Sequence, residues 1–175
     1  MKVSQDERTA RMRDAVDNNS GDLLVYFTRR VNPVQDAADL LSETMLTVWR
    51  RIADLPDDPL RARMWMFGVA RRVLANQRRA KTRHSNLAVK LRHQLIEQYA
   101  YQPAFTDQSD VREAIDELPA SQRELVLLVH GDGFTIAEAA KIMSTTASTA
   151  RSRYGTALRN LKIALASSQT LAELQ

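Results

Sequence analysis

Apolar residues recur at helical spacing through most of this chain. The clearest stripe is Ala37, Leu40, Leu41, Met45, Val48, Trp49 and Ile52, which keeps the i, i+3, i+4, i+7 spacing of one buried helix face. Asp39, Ser42, Glu43 and Thr47 fall mainly on the other side, and Arg50 and Arg51 close the last turn, where the helix dipole favours cations. Upstream, Asn32–Pro33 reads as an N-cap followed by proline at the first helical position. Residues 1–20 are polar and unpatterned and predict a frayed terminus; LLVYFTRRV after Gly21 predicts a short apolar helix. The breaker LPDDP sets a loop. A further helix follows from about Leu60 to Arg79, with Met66, Phe67, Ala70, Val73 and Leu74 as its core stripe.

Residues 84–108 lose this clarity, and Pro103 with the polar run after it predicts a linker that ends a first domain. Beyond it, Val111, Ala114, Ile115 and Leu118 form a stripe that Pro119 closes. Ser121 and Glu124 have capping-box spacing ahead of Leu125, Leu128 and Val129, and Gly131 and Gly133 break that helix. Thr135 and Glu138 have the same spacing ahead of IAEAAKIM. After the turn STT, a longer helix places Ala147, Ala150, Tyr154, Ala157, Leu158 and Leu161 inward. Two helices joined by a short turn, the second one basic, make a helix-turn-helix pattern. Its outward face presents Ser148, Thr149, Arg151, Ser152, Gly155 and Arg159. The predicted fold class is all-α, with two small helical domains joined by a linker. The divisions are an extension at 1–20, a first domain at 21–83, the linker at 84–108, a helix-turn-helix domain at 109–166 and a tail at 167–175.

Charge changes the picture. The net of +4 is unevenly spread, for residues 61–93 hold ten Lys and Arg and no acid, while residues 94–140 hold two against nine. Residues 1–60 carry a net of −3 and residues 141–175 a net of +4. Unbroken basic blocks are the electrostatic footprint of a polyanion. Arg71 and Arg78 are seven apart, as are Arg72 and Arg79, so all four share one broad helix face able to follow a phosphate backbone. With no cysteine, no apolar run near membrane length and no signal-peptide core, the expected compartment is the cytoplasm, without membrane insertion. Catalysis has no support. His84, His93 and His130 are scattered, no glycine-rich phosphate loop exists, and no metal or cofactor is expected. Trp49, Trp65 and Tyr154 are expected in the core, and Tyr99 and Tyr101 in the linker.

DAADLLSETMLTVWRRI followed by MWMFGVARRVLANQRR resembles region 2 of extracytoplasmic-function (ECF) sigma factors. DELPASQRELVLLVHGDGFTIAEAAKIMSTTASTARSRYGTALRNLK resembles their region 4, in the right order and at the right distance. The resemblance implies a subunit without activity of its own that binds core RNA polymerase and directs initiation at chosen promoters. It implies contact with the polymerase clamp helices through Asp36, Asp39, Leu40, Ser42, Glu43 and Thr44, and with the polymerase flap. The loop Asp54–Ala62 and helix Met64–Arg79 would melt and read the −10 element, with Arg61, Arg63, Arg71, Arg72, Asn76, Arg78 and Arg79 as DNA contacts. Ser148, Thr149, Arg151, Ser152, Arg153, Gly155, Thr156 and Arg159 would read the −35 element in the major groove, where an arginine can donate two hydrogen bonds to guanine. An anti-sigma protein is the implied regulator. Three departures stand out: Arg72 replaces an asparagine common in the family, Ser144 replaces the turn glycine, and Gly155 and Thr156 replace larger or basic residues. The alternative is a stand-alone helix-turn-helix repressor or activator on duplex DNA, which has no need of the helix at 36–52.

Overall fold

The computed structural model describes residues 5–92 and 107–172, with side-chain surroundings for 6–82 and 111–166. The described residues are helical, with no strand among them, and fall into two compact units, Met1–Gln98 and Tyr99–Gln175. The all-α, two-unit expectation holds.

In the first unit, α1 (Gln5–Thr28), α2 (Asp36–Arg50) and α3 (Pro59–Arg92) pack together, with a 3-10 turn at Ile52–Asp54. Met66, Phe67, Ala70, Val73 and Leu74 of α3 are all buried, as their spacing predicts. Tyr26 of α1 sits edge-on to Phe27 and Phe67, with ring centroids 5.2 and 5.4 Å apart. Edge-to-face pairs add about 0.5–1.5 kcal/mol to what apolar burial contributes.

Two expectations need correction here. Residues 5–20 are helical, not frayed: Ala15, Asn19, Leu23 and Tyr26 form a buried line at i, i+4, i+8, i+11. Its one polar member hid it, because Asn19 is buried by donating Nδ2–H to the Ala15 carbonyl at 3.0 Å. Asn32–Pro33 is a cis peptide in the turn before α2, not a cap, and α2 starts at Asp36 after Gln35, which makes no side-chain cap bond. The cap-then-proline pattern occurs instead at α3. Asp58 accepts the Arg61 amide through Oδ1 at 2.8 Å, and Pro59 opens the helix.

Helix α3 continues to Arg92, so residues 84–92 of the expected linker are helical. Residues 93–106, with His93, Tyr99, Tyr101 and Pro103, lie outside the described residues, as does the His84 side chain. The expected tail at 167–175 is helical as far as Ala172.

The second unit consists of α4 (Asp107–Glu117), α5 (Ala120–Val126), a π turn at Leu127–Gly131, α6 (Ile136–Ile142) and α7 (Ala147–Ala172). Leu118, Val126 and Ala157 are buried together, with Ile115 and Leu161 packed against them. The Thr135–Glu138 capping box forms in both directions, at 3.3 and 2.8 Å. The Ser121–Glu124 box does not form, because Pro119 already occupies the N-cap and α5 starts at Ala120. Val111, expected inward, is exposed.

The α6–α7 turn fixes the helix-turn-helix. Ser144 takes a left-handed φ of 54°. Its amide reaches the Lys141 carbonyl at 3.1 Å, and the Thr145 amide reaches Ala140 at 2.9 Å. This is the pair of bonds that ends a helix in a Schellman turn, usually on glycine. Serine keeps the turn at a conformational cost of about 1–2 kcal/mol. Thr146 then caps α7, its Oγ1 accepting the Thr149 amide at 3.1 Å.

Candidate polymerase- and DNA-binding surfaces

Helix α2 shows its outward face through Asp39, Ser42 and Glu43, all exposed, as expected. Farther along, the same face carries Leu46, 55% exposed, and Trp49 at 36%. It is therefore acidic at its start and apolar at its end. Leu40 and Thr44, expected as docking residues, are 2% and 0% exposed and belong to the core. Thr44 is buried without penalty to its hydroxyl, which donates to the Leu40 carbonyl at 2.7 Å. Asp36 faces α3, where it accepts from Gln77 Nε2 at 3.4 Å and pairs with Lys81, so it ties the two helices together. Trp49, expected in the core, lies at the surface. Trp65 is partly exposed, with the Arg51 guanidinium 5.4 Å from its ring centroid. Leu46 was missed by the stripe, although an apolar residue off the buried stripe is itself the signal.

On α3 the basic residues divide. Arg61, Arg72 and Arg79 are exposed, and with Gly68 they fall in one line at spacings of seven, four and seven. Arg79 donates to Asn76 Oδ1 within this line. Arg71 is half-buried, and Arg78 donates to the Arg30 carbonyl at 3.1 Å, at the end of α1. Arg63 is held inside the unit. It pairs with Asp22 of α1 at 3.1 Å and lies 4.9 Å from the Phe67 ring centroid. Arg63, expected as a strand contact, thus also links α1 to α3.

The loop between α2 and α3 is anchored from a helix that sequence reasoning took for frayed. Arg11 donates to the Leu55 carbonyl and pairs with Asp57 at 3.1 Å. Between this loop, α1 and the start of α3 lies a cleft of about 660 Å³ lined in part by Asn18, Asn19, Leu55, Pro56, Asp57 and Arg63. That Arg11, Asn18 and Asn19 line this cleft was not legible in the sequence, since their helix had no recognisable apolar stripe.

In the second unit, α7 exposes Ser148, Arg151, Ser152, Arg153 and Arg159, with Thr149, Gly155 and Thr156 partly exposed. Arg159 donates to Thr156 Oγ1 at 3.1 Å, and Thr156 donates to the Ser152 carbonyl at 3.1 Å. Arg151 and Arg153 make no ion pair or side-chain hydrogen bond among the described residues. Ala150 and Ala157 are buried, but Leu158, expected inward, is 41% exposed. Tyr154 is partly buried under His130, whose Nε2 lies 2.7 Å from the tyrosine hydroxyl with the rings stacked at 5.9 Å.

An acidic-to-apolar helix beside an arginine-lined one, followed by a helix-turn-helix whose second helix exposes Arg151, Arg153 and Arg159, makes a two-part helical protein with a basic helix in each part. Two family models match, sigma-70 region 2 over residues 16–84 and sigma-70 region 4 over residues 108–161. The ECF RNA polymerase sigma factor EcfG of Rhodopseudomonas palustris is 30% identical over 130 residues, covering 74% of this chain and 71% of that protein. The ECF RNA polymerase sigma factor SigL of Mycobacterium tuberculosis is 26% identical over 158 residues, 89% of each. In fold, the chain is similar to the sigma factor RpoE crystallised with the anti-sigma factor NepR from Bartonella quintana, with a TM-score of 0.69 and 24% identity, covering 87% of this chain and 95% of that one. The chain belongs to the ECF RNA polymerase sigma factors.

Proposed function

We propose that this protein binds core RNA polymerase through region 2 and region 4 and directs initiation by reading −10 and −35 promoter elements. The observation that carries this reading is the ordered pair of regions in one chain, each with its own basic helix. The exposed face of α2, with Asp39, Ser42, Glu43, Leu46 and Trp49, is the polymerase-docking surface. Its apolar end supports this, because exposed aromatic and aliphatic anchors are what protein interfaces bury. The loop over α3 and the cleft beneath it take an unstacked base of the non-template strand, and Arg61, Arg72 and Arg79 hold that strand's phosphates. Arg151 and Arg153 of α7, without ion pairs or side-chain hydrogen bonds among the described residues, enter the major groove at the −35 element. An anti-sigma protein that covers the docking face would silence the chain, which works in the cytoplasm beside the polymerase.

Run-off transcription with purified core polymerase on a promoter library tests this. The expected result is a set of start sites that core polymerase alone does not use. Tight binding to duplex DNA without polymerase, and no new start sites, would establish a stand-alone repressor or activator instead.

A further inference from the structure

Glycine in a helix interior costs about 1 kcal/mol relative to alanine, so a helical glycine calls for a reason. Gly133, in the loop before α6, has its own reason, since its φ of +76° suits no other residue as well. Gly68 of α3 and Gly155 of α7 do not. Both have ordinary helical backbones, and a methyl group built on either meets nothing within 4 Å. No neighbour among the described residues requires them to be bare.

Their positions supply the reason. Gly68 lies in the outward line of α3 between Arg61 and Arg72, with Arg79 beyond. Gly155 lies one turn from Arg151 on one side and from Arg159 on the other, with the small Ser148 and Ser152 on the same face. Each is thus a partly exposed gap in its helix face with cations within two turns: Arg151 and Arg159 stand one turn either side of Gly155, and Arg72 one turn beyond Gly68, with Met64 and Trp65 between Gly68 and Arg61. Glycine is the residue that lets a backbone approach a ligand closely. Gly21 of α1 serves as a contrast. It too has open space around it, but its face carries Asp17, Asn18, Leu24 and Val25 and no cation.

We propose that Gly68 and Gly155 are contact gaps where promoter DNA rests against the helix backbone while the flanking arginines hold its phosphates or bases. This rests on the sigma-factor reading above. It makes the absence of a side chain at Gly155 a positive element of −35 recognition, in place of a missing base contact.

The test uses the full chain assembled with core RNA polymerase, on promoter fragments that the parent chain selects from a library. Gly68→Ala, Gly155→Ala, Gly68→Leu and Gly155→Leu are compared with Gly21→Ala and Gly21→Leu. Thermal midpoints of all three alanine variants should equal or exceed the parent's, since each adds helix propensity in open space. Promoter-directed initiation should fall about threefold with alanine and about tenfold or more with leucine at 68 and 155, in the range of a lost DNA contact. Gly155 variants should lose affinity for the duplex −35 element, and Gly68 variants should lose strand opening. Gly21 variants should initiate like the parent. If a leucine variant melts early, the alanine variant at that site decides. Initiation at parent level from the variants at 68 and 155, or an equal loss from those at Gly21, overturns the proposal. A parent chain that never redirects initiation overturns the sigma-factor reading, and the contact gaps with it.

Discussion

Helices α3 and α7 both present arginines to solvent, yet they use them differently. On α3 much of the positive charge is bound to the protein itself. Arg63 pairs with Asp22, Arg78 bonds the end of α1, and Lys81 pairs with Asp36. On α7, Arg151 and Arg153 have no such partner among the described residues. A guanidinium already held by its own fold gives up those bonds to reach a phosphate, so its net contribution to binding is small. The described cations of α3 therefore do not form one uniform surface. Arg61, Arg72 and Arg79 form an outward line, in which Arg79 donates to its neighbour Asn76, whereas Arg63, Arg78 and Lys81 tie α3 to the α1 and α2 side of the unit.

The comparison breaks most readily at Arg151. With no bond to lose among the described residues, Arg151→Ala should leave the thermal midpoint unchanged. It should also weaken holoenzyme binding to the selected −35 sequence by about 1–3 kcal/mol, with little effect on scrambled duplex. Competition binding on the two duplexes measures both. Equal loss on both would make Arg151 a phosphate contact, and α7 would then resemble α3.

Next in size is the salt dependence carried by α3. Replacing Arg72 and Arg79 together by alanine should lower the log–log salt slope of promoter binding by about one unit per lost contact. Replacing Arg71 and Arg78 should lower it less, because Arg71 is half-buried and Arg78 already donates to the Arg30 carbonyl. Titrations of binding against salt with the two double variants decide the matter. Equal slopes would show that internal partners do not withhold these arginines from DNA.

Much of this was legible in the sequence, and the exceptions share a cause. The α3 stripe is purely apolar, so Met66, Phe67, Ala70, Val73 and Leu74 announced themselves, and the Thr135–Glu138 box needs only local residues. Thr44 and Asn19 misled because a side chain that bonds its own helix can be buried while looking polar. Leu40 was assigned to the docking face although its spacing put it in the stripe, where the structure buries it. Trp49 misled the other way: its spacing fits the stripe, but the helix ends at Arg50 and its last turn leaves the ring at the edge. Partners across the fold, such as Asp22 for Arg63, had no sequence signal, because forty-one residues separate them.

That last pair gives the smallest effect and the finest test of the comparison. Arg63 and Asp22 lie 3.1 Å apart with side chains 25% and 59% exposed, so solvent screens the pair and its coupling should be about 0.5 kcal/mol. The guanidinium also lies near the Phe67 ring, an arrangement worth roughly 0.5–1 kcal/mol at an exposed site. Arg63→Ala should therefore destabilise the protein by about 1 kcal/mol, and Asp22→Ala by about half of that. A double-mutant cycle on the thermal midpoint separates pair from ring. Neither variant should change the salt slope of promoter binding. If Arg63→Ala flattens that slope while Asp22→Ala steepens it, the aspartate competes with DNA for the arginine. Arg63 would then join the strand-holding line, and the division of α3 into outward and inward cations would need to be redrawn.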